Sequence, residues 1–153
     1  MGKIIKLKDV SELIKPNTSA PVGGSFDLSH VGHLRYLKCC SRFGKPLVVI
    51  VQSDKTVGYR KGFNRPIINE KRRAEIISHL NFVNYVLILD KPSHYDKYLE
   101  IIRPKTFIFS KEDMDYKINR KKLIKEKFPN ISVVFFPKNV IRSSTSYIIY
   151  RLY

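Results

Sequence analysis

Four short apolar runs constrain this chain more than any other feature. They are Leu47-Val48-Val49-Ile50-Val51, Tyr85-Val86-Leu87-Ile88-Leu89, Thr106-Phe107-Ile108-Phe109 and Ser132-Val133-Val134-Phe135-Phe136. Each is rich in β-branched or aromatic residues and has the length of a strand rather than a helix. Their hydrophobicity is continuous, not alternating, so both faces of each strand should be buried, as in a parallel sheet. The pattern also calls for a first strand around Ser19 to Val22, which Pro21 should keep short and weak.

Helix patterns fill the gaps between these runs. Val31, Leu34, Leu37 and Cys40 form one apolar stripe, and Asn69 is placed to cap a second helix running to Leu80 with Ile76, Ile77 and Leu80 inward. Tyr95 to Ile102 and Asn119 to Phe128 supply two more, the latter very basic on its outer side. Ser143 or Ser144 can cap a last helix carrying Ile148, Ile149 and Leu152. Strands alternating with helices give an α/β fold: a doubly wound, Rossmann-like parallel sheet of about five strands with helices on both faces. At 153 residues a single domain spanning 1–153 is expected. Such sheets take their ligands at the carboxyl ends of the strands, where strand order reverses. The Gly23-Gly24 turn follows the first strand and falls at that place.

That turn opens the segment Gly23-Gly24-Ser25-Phe26-Asp27-Leu28-Ser29-His30-Val31-Gly32-His33. With a helix starting near Ser29, His30 and His33 share a face of its first turn. They would stand beside the backbone N–H groups that a helix start leaves free for an anion. A lone His-x-x-His reads most simply as a cap followed by surface histidines. The Gly-Gly-x-Phe-Asp lead-in shifts the balance towards a site for a reacting phosphate.

Composition narrows the partners. Lys and Arg number 29 against 13 acids, a net charge of +16, so the surface field should attract polyanions such as nucleic acid, a nucleoside triphosphate or a phosphorylated metabolite. No apolar run approaches the ~20 residues of a membrane span, and the amino terminus lacks the apolar stretch of a signal peptide. Cys39 and Cys40 are adjacent, which disfavours a disulfide and offers no zinc-ligand spacing. A soluble protein of a reducing, cytoplasmic compartment is expected.

Three further segments acquire meaning from the sheet. Gln52 to Pro66 reads as a glycine-flexed loop carrying Lys55, Arg60, Lys61 and Arg65, able to close over a triphosphate; alone, it would be a solvated basic loop. Lys71-Arg72-Arg73 places cations where they oppose the helix dipole, which hints at an anion nearby. Ser143-Ser144-Thr145-Ser146 offers hydroxyls and free N–H groups at a helix start, more than a simple cap needs.

Together these pieces resemble the cytidylyltransferase-like nucleotidyltransferases over about Lys3 to Leu152. Gly23 to His33 is similar to the family's G-x-F-D-x-x-H-x-G-H signature, and Ser144-Thr145-Ser146 to its second signature before the final helix. Ser53-Asp54, Lys61-Gly62, Arg65-Pro66-Ile67, Arg73-Ala74 and Val83-Asn84-Tyr85-Val86 look most like the nucleotidyltransferase domain of ADP-heptose synthases. Glycerol-phosphate and ethanolamine-phosphate cytidylyltransferases come next.

The resemblance implies attack of a phosphate monoester on the α-phosphorus of ATP or CTP with release of pyrophosphate. The acceptor would be a phosphorylated sugar, polyol or amino alcohol, with Mg²⁺ accompanying the triphosphate and no metal cage from protein alone. It assigns His30 and His33 to hydrogen bonds with phosphate oxygens, and Lys61 to the triphosphate or the second substrate. Gly24, Ser25, Phe26, Asp27, Gly32, Arg73, Ser144, Thr145 and Ser146 are implied nucleotide or phosphate contacts, with Arg142 a weaker one. Asp54, Arg65, Asn84 and Asp113 are weak candidates for the acceptor or base loop.

Asn84 replaces the aspartate usual in Val-Asp-x-Val, and Ser110-Lys111-Glu112-Asp113 departs from the heptose enzymes' Lys-Gly-Gly-Asp-Tyr type of segment. These departures keep open a nucleotide-binding member without catalysis. A basic nucleic-acid-binding module is the other alternative. It fits poorly, because most aromatics sit in the strand runs rather than on a stacking surface. The resemblance admits a homodimer, and no membrane partner is expected.

Overall fold

The computed structural model describes residues 1–89, 95–110 and 114–136. The chain runs β1 (Lys3–Ile4), α1 (Val10–Leu13), β2 (Ala20–Gly24), α2 (Val31–Cys40), β3 (Leu47–Gln52), α3 (Asp54–Lys61), α4 (Glu70–Ser78), β4 (Tyr85–Leu89), α5 (Tyr95–Ile102), β5 (Thr106–Ser110), α6 (Met114–Lys127) and β6 (Ser132–Phe136). The six strands pair in parallel in the order β1-β4-β3-β2-β5-β6. From β2 the chain winds outward through β3 to β4, then returns to lay β5 and β6 on the other side of β2. The order therefore reverses at β2 and β5, and Gly24 ends β2 at that reversal.

Burial on both strand faces follows the continuous apolar runs. Val49 and Val51 join Tyr36, Leu37 and Cys40 of α2 and Ala74 and Ile77 of α4 in one core. The alternate residues Val48 and Ile50 turn to the opposite face, against Val10, Ile14, Tyr98 and Ile102. A smaller cluster joins Phe107 to Ile124 of α6. The doubly wound α/β architecture expected from the sequence is the one observed.

Several local expectations change. The sheet has six strands because β1 adds an edge beside β4. The strand bearing Pro21 is neither short nor peripheral: it spans Ala20–Gly24 at the centre of the sheet. Ala20 N–H donates to Pro46 O on the β3 side. Pro21, one residue on, thus turns its missing N–H towards β5. Pairing is correspondingly thin there, with one register pair to β5 against five to β3.

Helix α2 begins at Val31 with His30 as its cap. Val31 and Leu34 are 55% and 39% exposed, so the buried stripe is Tyr36, Leu37 and Cys40. Asn69 caps α4 as expected, its side chain accepting from Arg72 N–H, but the helix ends at Ser78 and Ile76 faces solvent while Ile77 is buried. The basic segment after β3 is largely the helix α3, not a loop. Its signal was masked by Gly58 and by apolar content limited to Val57. Helix α6 starts at Met114, before Asn119. The helix expected after Ser143 lies outside the described residues.

Cys39 and Cys40 are free thiols, and burial pushes the Cys40 thiol up to about 12, so it behaves as a small core residue. Among the described residues no helix is long and apolar enough to cross a membrane.

Candidate active site

The carboxyl end of β2 is shaped by one side chain folding back on its own turn. Phe26 takes a left-handed φ of 51°, uncommon for a bulky residue, and is held there by burial. Its ring lies over Gly24, where an added Cβ would come within 2.8 Å of the ring. Only glycine fits beneath it. The same ring meets His33 edge-on at 5.6 Å between centroids, so the turn sets the imidazole's position.

His30 and His33 cap α2 reciprocally. His30 Nδ1 accepts from Gly32 N–H at 3.1 Å, and His33 Nδ1 accepts from His30 N–H at 3.3 Å. A backbone N–H can only donate, so both Nδ1 atoms carry lone pairs and the ring proton of each neutral imidazole is on Nε2. The rings stand 3.9 Å apart. Burial, aided by the charges of His30 and Lys61, pushes His33 down to about 4. At neutral pH it is an uncharged donor. The cap thus engages the His30 and Gly32 N–H groups, which a bare helix start would leave open.

Lys61 approaches from the far end of α3. Its Nζ donates to Ser25 Oγ at 3.0 Å, which places this cation beside the β2 turn. Gly62 ends the helix with φ 99°, a conformation that favours glycine although nothing crowds its Cβ position. Arg60 reaches Gln52 at the end of β3, and Lys55 is exposed. Tyr59 and Phe63 beside them stand in solvent, unlike most described aromatics.

Other residues expected at the site tie its framework together. Asp27 has a fully buried side chain and accepts from Arg65 Nε at 2.7 Å and from the N–H groups of Ile67 and Ile68. Burial alone would raise its carboxyl, but the Ile68 and Ile67 N–H groups and the Arg65 guanidinium hold it below the ordinary range. Asp27 and Arg65 thus pin the segment entering α4 to the β2 turn.

Arg73 is fully buried and donates to Ile68 O at 2.7 Å, to Ser25 O and to Asp54 Oδ1 at 2.6 Å. These contacts tie the turn after β2 to α3 and to the segment before α4. Asp54, from α3, is the anion that offsets the arginine's position near the start of α4. Glu70, which nothing in the sequence singled out beyond its place after a cap, accepts from Asp54 N–H at 2.7 Å.

Asn84 is at the other end of the sheet. Its Oδ1 accepts from Leu47 N–H at 2.8 Å, joining the amino-terminal starts of β3 and β4. A cavity of about 430 Å³ there is lined by residues including Lys3, Asn81, Asn84 and Tyr85, remote from the histidines. Asn84 thus stands at the opposite end of the sheet from the histidines, where its side chain ties two strand starts together. Asp113, Arg142, Ser144, Thr145 and Ser146 lie outside the described residues.

The site thus brings together Gly24, Ser25, Phe26, His30, Gly32, His33 and Lys61 at the reversal of strand order. Among the described residues no three His, Cys, Asp or Glu side chains are grouped to hold a metal ion.

Residues 22–151 match the model of the cytidylyltransferase-like family. The chain belongs to that family. It is similar to the bifunctional protein HldE of Syntrophotalea carbinolica, 36% identical over 100 residues, covering 64% of this chain and 20% of that protein. With HldE of Helicobacter pylori strain J99 it shares 30% identity over 126 residues, covering 81% of this chain and 27% of that protein. The chain thus spans about a fifth to a quarter of the length of these curated relatives.

Among solved structures it resembles the lipopolysaccharide core biosynthesis protein of Thermoplasma volcanium, with TM-score 0.65 and 26% identity over 78% of this chain and 94% of that one. Pantothenate synthetase of Thermus thermophilus shares the fold at TM-score 0.69 and 11% identity, over 90% of this chain and 62% of that one. The family and the HldE relatives support a nucleotidyltransferase-type activity.

Proposed function

We propose that this cytidylyltransferase-like protein joins ATP or CTP to a phosphate monoester by direct in-line attack at the α-phosphorus. One observation carries the reading: two adjacent imidazoles whose Nδ1 atoms are fixed as acceptors, which puts the proton of each neutral ring on Nε2, at the end of the strand where Lys61 reaches Ser25. An acceptor phosphate oxygen forms the new bond to the α-phosphorus. The bond from that phosphorus to the α,β-bridging oxygen breaks, and the electron pair leaves with pyrophosphate. A phosphate dianion has no proton to lose on attack, so no general base is required. What the reaction needs is positioning and donors aimed at charge on the crowded phosphorus.

His30 and His33 supply those donors, His33 as a neutral ring, and Lys61 neutralises the departing phosphates. Gly24, Ser25, Phe26 and Gly32 shape the cradle; Arg142, Ser144, Thr145 and Ser146 complete the phosphate contacts, and Asp113 helps choose the substrate. Mg²⁺, when bound with the triphosphate, supplies further charge neutralisation on its oxygens. The donor set fits that division, since the cradle offers N–H groups and a cation while its carboxylate, Asp27, is engaged by Arg65 and two backbone N–H groups.

The likeness of Lys61-Gly62 and Arg65-Pro66-Ile67 to heptose enzymes puts sugar phosphates first among acceptors, ahead of polyol and amino-alcohol phosphates. The deciding experiment measures pyrophosphate release from each of the four nucleoside triphosphates with these acceptor classes. Release that requires one triphosphate and one acceptor is expected. No release from any pair, with steeply salt-dependent oligonucleotide binding, would replace this reading by the nucleic-acid one.

A further inference from the structure

Building on the nucleotidyl-transfer reading, we infer that Arg73 is a positioning residue that sets Ser25 directly and Lys61 through Asp54, without touching substrate. Its guanidinium is completely buried and donates to three elements at once: Ser25 O after β2, Ile68 O before α4, and Asp54 Oδ1 at the start of α3. Asp54 is held a second time, its N–H donating to Glu70 Oε2 at 2.7 Å. Helix α3 then runs to Lys61, whose Nζ returns to Ser25 Oγ at 3.0 Å.

These contacts close a circuit: Ser25 O, Arg73, Asp54, α3, Lys61 and Ser25 Oγ. Ser25 is gripped at both its carbonyl and its hydroxyl. Gripping the carbonyl fixes the peptide that leads into the left-handed Phe26, whose ring meets His33. Gripping Asp54 fixes where α3 begins, and a rigid helix carries that to the Lys61 ammonium. A planar guanidinium suits this task because its donors point in fixed, divergent directions. With its donors directed at protein oxygens and its side chain sealed from solvent, Arg73 acts through Lys61 and Ser25.

The test breaks the circuit at Asp54, which is partly exposed and leaves the buried arginine in place. In Asp54→Ala, acylation of the Lys61 amine, followed by mass spectrometry, should speed up several-fold. With the substrate pair used by the native protein, KM for the triphosphate should rise about ten-fold, as expected for loss of a charge-assisted contact, while KM for the acceptor stays put. Asp54→Asn keeps an Oδ1 acceptor and should recover most of both properties.

A second break, Asp54→Ala in a Lys61→Ala background, should add nothing to the Lys61→Ala loss. Unchanged Lys61 acylation in Asp54→Ala overturns the inference. So do additive losses, an Asn variant no better than Ala, or equal rises in both KM values. If the native protein transfers no nucleotide, nucleotidyl transfer itself fails, and Lys61 acylation still decides whether Arg73 and Asp54 position that amine.

Discussion

The two walls of the site are built by opposite means. On one side, His30, Gly32 and His33 fix one another through hydrogen bonds spanning two and three residues of sequence. On the other, Lys61 meets Ser25 across 36 residues, Arg65 meets Asp27 across 38, and Arg73 meets Ser25 across 48. The local wall orients donors by nearby backbone geometry and the edge of the Phe26 ring. The long-range wall places charges only after three elements have packed. Chemistry that depends on a ring's tautomer is thus secured locally, and chemistry that depends on where a cation sits is secured by the fold.

The largest effect expected is on turnover. His30→Ala or His33→Ala should each lower the rate by about 10²–10³-fold, the usual consequence of removing one preorganised donor, with the fold retained. Pyrophosphate release beside a circular dichroism spectrum checks this, and a near-native rate in both variants would remove the local wall from the mechanism.

Breaking the Asp27–Arg65 part of the long-range wall should instead appear as instability. Asp27→Ala strands the Arg65 guanidinium, which is 11% exposed, and should cost about 3 kcal/mol in urea unfolding. A loss no larger than that of an exposed aspartate would mean the Asp27–Arg65 pair holds nothing.

Gly24→Ala tests the turn shared by both walls. A methyl group under the Phe26 ring should cost roughly 1–3 kcal/mol, as overpacking does, and lower turnover by shifting His33.

The contrast also extends to pH. His33 has an ordinary value of 6.5 and a folded value of about 4, so the folded chain binds its proton less readily than the unfolded chain. Its contribution to stability is complete above about pH 6.5 and is lost progressively as pH falls towards 4. Melting temperatures at pH 7.5 and 5 should therefore differ more in the native protein than in His33→Ala. Equal differences would place the acid sensitivity elsewhere.

The smallest effect is expected at the amino-terminal end of the sheet. Asn84→Ala should cost about 1 kcal/mol by leaving Leu47 N–H without its acceptor, and should leave kcat unchanged. A fall in kcat there would mean that the two ends of the sheet are coupled.

Legibility follows the same division. The strands Tyr85–Leu89 and Ser132–Phe136 and the helix Tyr95–Ile102 were readable to the residue, because a buried parallel strand or an amphipathic helix writes its period into neighbouring side chains. The Asn69 cap was readable for the same reason. Helix α3 was not: glycine and a run of cations weaken its pattern, and it is held by Ser53 at its cap and by contacts from Asp54 to Arg73 and Glu70. Pro21 suggested a weak strand because sequence does not tell which neighbour its missing donor faces.

The sequence by itself determined the layered α/β class and the pairing of His30 with His33, whereas Gly23 and Gly24, read as a turn, end the strand itself. Both determined features arise from residues within a few positions of each other. Only the tertiary structure decided that Asp27 and Arg73 are buried struts, that Lys61 reaches the turn and that Asn84 stands at the far end. A charged side chain's role depends on which oppositely charged or polar group the folded chain brings to it. For these residues that partner lies on another element, tens of positions away or at the other end of a strand.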